Sequence, residues 1–470
     1  MTSRRLAVGL LCHLSLITCH SKVKFLYRRI YWSYRKSSGL WYWARRRLTP
    51  AGWAVGIALV VTAAIGTDIE NKVTYELFAL LLSLAVFAMN SGFSFRARFS
   101  ATRILPRVGT AGRPLYYKIT VKNLTLKSQT GLMVLEDLAD PRPTFAEWLA
   151  FHNAEDRRYP AFRVSERKTR NPFHIANVKS AGLPPLPARG EAEADGEVFP
   201  LRRGILKFES ITVARPDPFG LFRAFIRVPA PQTMLILPRR YPLPEIALPG
   251  ALRYQEGGVA LAAHVGASEE FVALRDYRHG DPLRHIHWRS WAKTGKPIVK
   301  EFEDEFFVRH ALVLDTFDEE PNSDVLEEAV SVAASFACTI LTQESLLDLL
   351  FVGNQSYCFT AGRGLAHADQ MLEILASVKN CADKPFSVLE SLVMNHVTVV
   401  SGCICVFQKW DGPRKKFVEK LKALGLPLLV LIVVPPGGGF SGAGGDFTDA
   451  EGSIHVLEIG KIEEALARLK

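Results

Sequence analysis

The sequence predicts a multidomain membrane protein with a two-helix N-terminal transmembrane hairpin, a β-sandwich middle domain and a doubly wound α/β C-terminal domain. Three observations predict it. Two apolar stretches, the first of them uncharged and each near the ~20 residues that cross a bilayer, lie close together near the N-terminus. Short alternating runs broken by Pro, Gly and Asn fill the middle of the chain. From His310 onward, near-continuous apolar strands alternate with amphipathic helices.

Charge locates the anchor. The 470 residues are 48% hydrophobic and carry a formal net charge of +11. No acidic residue precedes Asp68, whereas eleven basic residues lie between Arg4 and Arg47, so the remainder is balanced. From Lys22 to Arg47 the sequence KVKFLYRRIYWSYRKSSGLWYWARRR interleaves Arg and Lys with Trp and Tyr directly before an apolar span. Anionic headgroups and the interfacial aromatic belt select that composition. The excess charge therefore points to a membrane surface and not to nucleic acid.

The spans run from Leu48 to Thr67 and from Val73 to Phe95, joined by the short polar link DIENK. So short a link makes a hairpin over residues 48–95 with both ends on one side. Arg45, Arg46 and Arg47 before it, and Arg96, Arg98, Arg103 and Arg107 after it, place that side in the cytoplasm. The expected location is the inner (cell) membrane, multi-pass, with cytoplasmic soluble domains. Gly52 and Gly56 form a GxxxG pattern suited to close helix packing. Residues 1–47 are a basic aromatic extension, whose first twenty residues resemble a signal peptide but read as dispensable.

In residues 96–240, PLYYKITVKNL, TGLMVLEDL, GILKFESITVA and AFIRVPA alternate as sandwich strands do. Ala139 to Gly196 reads as long loops with one short helix around Phe145 to Phe151. PDPFGLF, Pro216 to Phe222, reads as a turn that docks its apolar residues back onto the sheet. The seven cysteines show no pairing rhythm and read as reduced packing residues.

Residues 241–309 carry the most distinctive segment, EEFVALRDYRHGDPLRHIHWRSWAKTGKPIVKEFEDE from Glu269 to Glu305. Arg275, Arg278 and Arg284 stand among Asp276, Asp281, Glu301 and Glu303, a composition suited to bidentate ion pairs that staple one domain to another. Gly280-Asp281-Pro282 marks a tight turn. His285 and His287, with His279 near, are the candidate metal-ligand reading, although no Glu or Cys completes a known spacing. Acidic residues interleave the basic ones throughout, which argues against a nucleic-acid face built on Trp288 and Trp291.

This segment resembles the bacterial family catalogued as domain of unknown function fifty-eight, whose members carry a run like LRxYxxGDxxRxIxWxxxAxxGxxxVxExxxE. The resemblance rests on Arg275, Tyr277, Gly280, Asp281, Arg284, Trp288, Lys300 and Glu301. It extends to the two spans, to Arg202-Arg203-Gly204 and to Asp217–Phe222. His287 stands where many relatives have Asp, which removes a carboxylate from that position.

Residues 310–470 place Asp315 and Asp411 at the carboxyl ends of strands, where open α/β sheets bind ligands. This part resembles a von Willebrand factor A domain. Asp315 matches the first Asp of that family's DxSxS metal loop, and Asp411-Gly412 its later DG. The loop reads Asp315-Thr316-Phe317-Asp318-Glu319, so both serines are missing and an apolar ring stands where a hydroxyl would coordinate. The resemblance implies a Mg²⁺ site from Asp315 and Asp411 with Asp318 or Glu319, and with Thr360 as a further candidate ligand. The plainer reading makes both aspartates helix N-caps, with no cofactor. The glycine-rich run Val433 to Phe447 lacks a GK[ST] ending and reads as a surface loop.

No P-loop, dinucleotide fingerprint or local nucleophile motif appears. The resemblance implies a membrane-anchored binding or scaffold protein, an adaptor for a MoxR-type AAA+ ATPase with a transglutaminase-like membrane protein as a further partner. The alternative is a metal-dependent hydrolase using Asp281, Arg284, His287 and Glu301.

Overall fold

A computed structural model describes residues 27–65, 72–93, 95–149, 174–244, 271–281, 283–302, 309–318, 323–342, 346–361, 365–436 and 454–469. The signal-like first twenty residues and most of the glycine-rich run lie outside these. The chain divides into two compact units, with the break near Arg239.

Among the described residues, the first unit begins with three helices: α1 over residues 27–47, α2 (Pro50–Ile65) and α3 (Lys72–Phe93). Within α3, Val73–Gly92 is long and apolar enough to cross a membrane. At 16 residues, α2 falls short of that length. At ~1.5 Å per residue it rises about 24 Å, against ~30 Å of hydrocarbon. The chain sets where α2 begins. Thr49 accepts from Gly52 N at 3.1 Å through Oγ1, and its own N–H donates to Leu221 O at 3.1 Å, so it caps the helix just ahead of Pro50.

One sequence expectation changes here and a second is extended. An added Cβ at Gly52 meets Leu221 O at 2.1 Å, whereas at Gly56 it meets nothing within 4 Å. The first glycine of the GxxxG pattern therefore admits the backbone of the 217–222 corner instead of a partner helix. That corner closes on Asp217, whose carboxylate accepts Phe219 N at 3.1 Å and Phe222 N at 2.7 Å, with Gly220 at φ +68°. Its rings reach the helices: Phe219 meets Phe87 at 5.6 Å and Phe222 meets Trp43 at 6.1 Å.

One face of α1 is docked. Tyr31 Oη donates to Pro143 O at 2.8 Å among Phe145 and Trp148, and Arg46 pairs with buried Asp137. Trp32, Leu40 and Trp41 stay exposed, with Lys36 lying over the Trp32 ring.

Nine strands follow among the described residues: β1 (Phe99–Ile104), β2 (Val108–Thr110), β3 (Leu115–Asn123), β4 (Met133–Leu138), β5 (Ala176–Lys179), β6 (Ala181–Gly182), β7 (Glu191–Pro200), β8 (Gly204–Pro216) and β9 (Arg223–Leu237). They form two sheets, ordered β1-β3-β7-β5 and β2-β9-β8-β4-β6. Alternation buries Tyr117, Ile119 and Val121 of β3 against Val198, Leu206, Phe208 and Ile236. The loops expected from Ala139 to Gly196 contain the short helix, at residues 145–149, but also β5, β6 and the start of β7. β7 escaped notice because its inward positions include Ala192 and Ala194, too small to mark an apolar alternation.

In the second unit, β10 (Phe271–Asp276) and β11 (Ile298–Phe302) pair antiparallel around α4 (Trp288–Thr294). The α/β domain then runs β12 (Arg309–Leu314), α5 (Asp324–Thr342), β13 (Leu346–Val352), β14 (Ser356–Ala361), α6 (Leu365–Ser377), α7 (Ser387–Met394), β15 (Gly402–Phe407), α8 (Gly412–Ala423), β16 (Leu428–Val434), β17 (Ile454–Glu458) and α9 (Ile462–Leu466). The sheet order is β14-β13-β12-β15-β16-β17. All neighbours are parallel except the β13–β14 edge hairpin. β12 and β15 are buried at nearly every position, as strands covered on both faces must be. Cys403 and Cys405 are free and packed in that core, as expected.

Candidate functional site: the charged hairpin and the carboxyl edge of the sheet

The charged motif folds into its own local frame. β10 ends at Asp276, and the chain turns through Gly280 at φ +110°, a conformation that a side chain disfavours. Asp281 then reaches back. Arg275 grips its carboxylate bidentately, Nη1 to Oδ2 at 2.7 Å and Nη2 to Oδ1 at 2.8 Å. The Arg278 N–H adds a third bond at 2.8 Å. These donors, Arg275 first, pull the Asp281 pKa down to about 2.

The return is held by backbone. Tyr277 N donates to Pro297 O at 3.0 Å and His287 N to Ile298 O at 2.8 Å, with Ile286 and Val299 buried between. His287 precedes α4, its Nδ1 2.7 Å from Ser290 Oγ. Gly295, at φ +69°, ends the helix as an αL cap. Trp288 stacks on Trp291 with centroids 5.2 Å apart, yet it is 64% exposed. Arg278, Arg289, Lys293 and Lys296 are also exposed.

Of the residues singled out in sequence, Arg275 and Asp281 are therefore partners, and Tyr277, Gly280 and His287 shape the turn around them. Lys300 lies on β11 opposite Leu274. The side chains of Arg284 and Glu301 lie outside the described residues. The Arg275–Asp281 pair closes within the hairpin itself. An aspartate ionised down to about pH 2 is tuned away from general acid–base work near neutrality. Among the described residues, no three His, Cys, Asp or Glu side chains converge as a metal site, the His285–His287 pair included.

The second cluster sits at the carboxyl ends of β12 and β15. These strands are neighbours, and their onward connections leave to opposite sides of the sheet. That is the switch point where α/β sheets place ligands. Asp315 and Asp411 do converge there, on one guanidinium. Arg414 Nε and Nη2 meet the two Asp315 oxygens at 2.8 and 3.1 Å, and Nη1 meets Asp411 Oδ2 at 2.6 Å. Asp411 also caps α8, accepting Arg414 N at 3.2 Å, so its N-cap reading holds. Asp318 pairs with Lys409 at 2.7 Å.

Sequence reasoning missed Arg414. The available signal was a cation three residues after an N-cap aspartate, followed by Phe417, Val418 and Leu421 on a buried helix face. It also missed Arg309, which grips fully buried Asp348 at 2.7 and 3.0 Å while Thr360 donates to the same carboxylate at 2.6 Å.

Among solved structures, a CARDB domain from Pyrococcus furiosus is 10% identical with a TM-score of 0.16, covering 30% of this chain and 94% of its own. The fimbrial subunit AggA from Escherichia coli is 9% identical with a TM-score of 0.16, covering 30% and 95%. At such scores neither likeness carries an argument. A Bacillus subtilis (strain 168) protein described as uncharacterized protein YeaD is 28% identical over 197 residues, 41% of this chain and 47% of its own length. The match thus spans about half of that relative. Residues 273–402 match the family described as Protein of unknown function DUF58, so this chain is similar to that family over the charged hairpin and the first half of the α/β sheet.

Proposed function

We propose that this protein is a membrane-anchored scaffold that presents the charged hairpin to a protein partner on the cytoplasmic face, as an adaptor for a MoxR-type AAA+ ATPase. The observation that carries the reading is the hairpin's construction. Asp281 is bound internally by Arg275, while a stacked tryptophan pair and unburied Arg and Lys side chains are left facing outward beside exposed Asp276. Exposed Trp flanked by Arg is the composition of interface anchors, and rigid local bonding lowers the cost of binding. In this reading α2 pairs with α3 as a two-helix transmembrane hairpin in the inner membrane. The basic α1 holds the soluble units on the positive side, and the C-terminal sheet is a von Willebrand factor A-like platform. A transglutaminase-like membrane protein is the second expected partner.

The test is purification of the full chain in detergent, with mass spectrometry of co-purifying proteins in the presence and absence of ATP and Mg²⁺. Recovery of an AAA+ ATPase that Trp288→Ala with Trp291→Ala abolishes is expected. If the wild-type chain brings down no such ATPase, the adaptor reading is wrong.

A further inference from the structure

The resemblance to A-type domains implies a divalent cation at Asp315, and the described residues around it do not fit one. A Mg²⁺ ion asks for about six oxygen ligands near 2.1 Å. The Asp315 carboxylate is fully buried and already accepts four donors: Phe317 N at 3.0 Å, Gln408 N at 3.1 Å, and the two Arg414 bonds. The hydroxyl of Thr316 is turned away and donates to Val352 O. The next position carries a buried phenyl ring, packed on Phe386 at 5.8 Å. Among the described residues, which exclude Glu319, no hydroxyl donates to either aspartate, and the Arg414 guanidinium bridges the two.

We infer that Arg414 is the resident cation of this switch point, so that the α/β domain holds its carboxyl edge together without metal. The guanidinium does there what a bound ion does elsewhere. It neutralises two converging carboxylates, and Nη2 also donates to Phe317 O at 3.3 Å, tying down the loop after β12. The Phe386 ring covers its face at 4.7 Å. Gln408 completes the tie, its Nε2 donating to Asp315 O at 2.9 Å. One side chain thereby joins the end of β12, the end of β15 and the start of α8. Unlike an exchangeable ion, it has no dissociation constant and presents no open coordination position to a ligand's carboxylate. A partner that docks on this domain therefore recognises something other than a metal at this edge. This inference does not depend on which partner binds.

The full chain in detergent tests it through two readouts. Manganese titration followed by electron paramagnetic resonance should give no bound ion that Asp411→Asn removes, and millimolar Mg²⁺ or chelator should leave the melting midpoint unmoved. Arg414→Ser should lower that midpoint by roughly 10 °C, the size expected when a buried ion pair in a domain of this length loses one partner. Millimolar Mg²⁺ should restore part of the loss, because the serine leaves two facing carboxylates and a hydroxyl. Arg414→Lys, which keeps the charge and loses the fork, should fall between and stay blind to Mg²⁺. Stoichiometric manganese in the wild-type chain that Asp411→Asn abolishes overturns the inference, as does an Arg414→Ser variant as stable as wild type. Should Arg414→Ser fail to fold, the wild-type titration and Arg414→Lys still decide.

Discussion

Asp281 and Asp315 are gripped alike and placed in opposite surroundings. Each takes a two-pronged arginine at 2.7–3.1 Å and at least one backbone N–H besides. The Asp281 pair lies on a hairpin turn, its arginine side chain a third exposed. At the sheet edge, Asp315 has no exposure and Arg414 only 5%. A bidentate grip thus carries different consequences in the two places. Near water the fork orients a loop and costs little to break. In the core, removing one partner strands a charge in a medium that cannot solvate it. The buried fork specifies where strands end, whereas the exposed one specifies the shape of a surface.

The largest effect should come from a second buried fork. Arg309→Ala leaves Asp348 buried with only Thr360 donating to it. Loss of one partner from a buried pair costs ~3–5 kcal/mol, and the surviving hydroxyl bond places the expectation near 3 kcal/mol. Chemical denaturation of the full chain measures it. A loss under ~1 kcal/mol would mean that the sheet interior solvates charge as a surface does, and the contrast with Asp281 would collapse.

An intermediate effect is expected at the sandwich, where burial overcomes pairing. Glu136 is held by Tyr117 Oη at 3.2 Å and by Arg103 at 3.3 Å. Its pKa nevertheless rises to about 7, because burial outweighs the Arg103 charge. Folding then takes up a proton between the ordinary glutamate value of 4.5 and about 7. The sign follows: stability is highest below that window and falls as pH rises through it, by at most about 1.4 kcal/mol per pH unit. Glu136→Gln should flatten the melting profile between pH 5 and 7, roughly the span of that window. A mutant profile as steep as that of wild type would assign the dependence to another group. Asp137, the neighbouring residue, moves the other way. Its hydrogen bonds from Ser210 and Thr212, with the charge and bond of Arg46, outweigh its burial and lower its pKa.

These groups also mark what could be read in advance. Long periodic elements declared themselves, and α5 begins and ends where its amphipathic pattern does, at Asp324 and Thr342. Asp315, Asp411 and the Arg275–Asp281 segment were visible because charged residues at strand ends and turns stand out in a sequence. Their counter-charges were harder to see. Arg414 lies 99 residues from Asp315 and Arg309 lies 39 from Asp348. Nothing local in a sequence says which of 58 cations a buried carboxylate will choose. The antiparallel β13–β14 hairpin was missed for a related reason. Its SYCFTA strand is apolar enough to pass for a buried parallel one, and only pairing reveals an edge. Gly52 was placed in a familiar helix-packing pattern when its neighbour is a carbonyl some 170 residues away, that of Leu221.

The smallest effect is the one that isolates the exposed fork. Arg275→Ala removes two of the three donors that hold the Asp281 pKa near 2. Asp281 should then titrate close to the ordinary aspartate value, followed through its carboxyl carbon by NMR. A carboxylate held below its unfolded pKa adds stability above that value and loses it as pH falls through the folded one, here from about 4 to about 2. At neutral pH the melting midpoint should barely move, because the turn stays solvated and Gly280 still fixes its path. Partner recovery is the sharper readout, since the fork sets the direction from which the chain enters α4 and so the aim of Trp288. A variant that melts like wild type but loses its partner places the work of this motif at the surface. If it melts well below wild type instead, the two forks are energetically alike, and the hairpin belongs to the core.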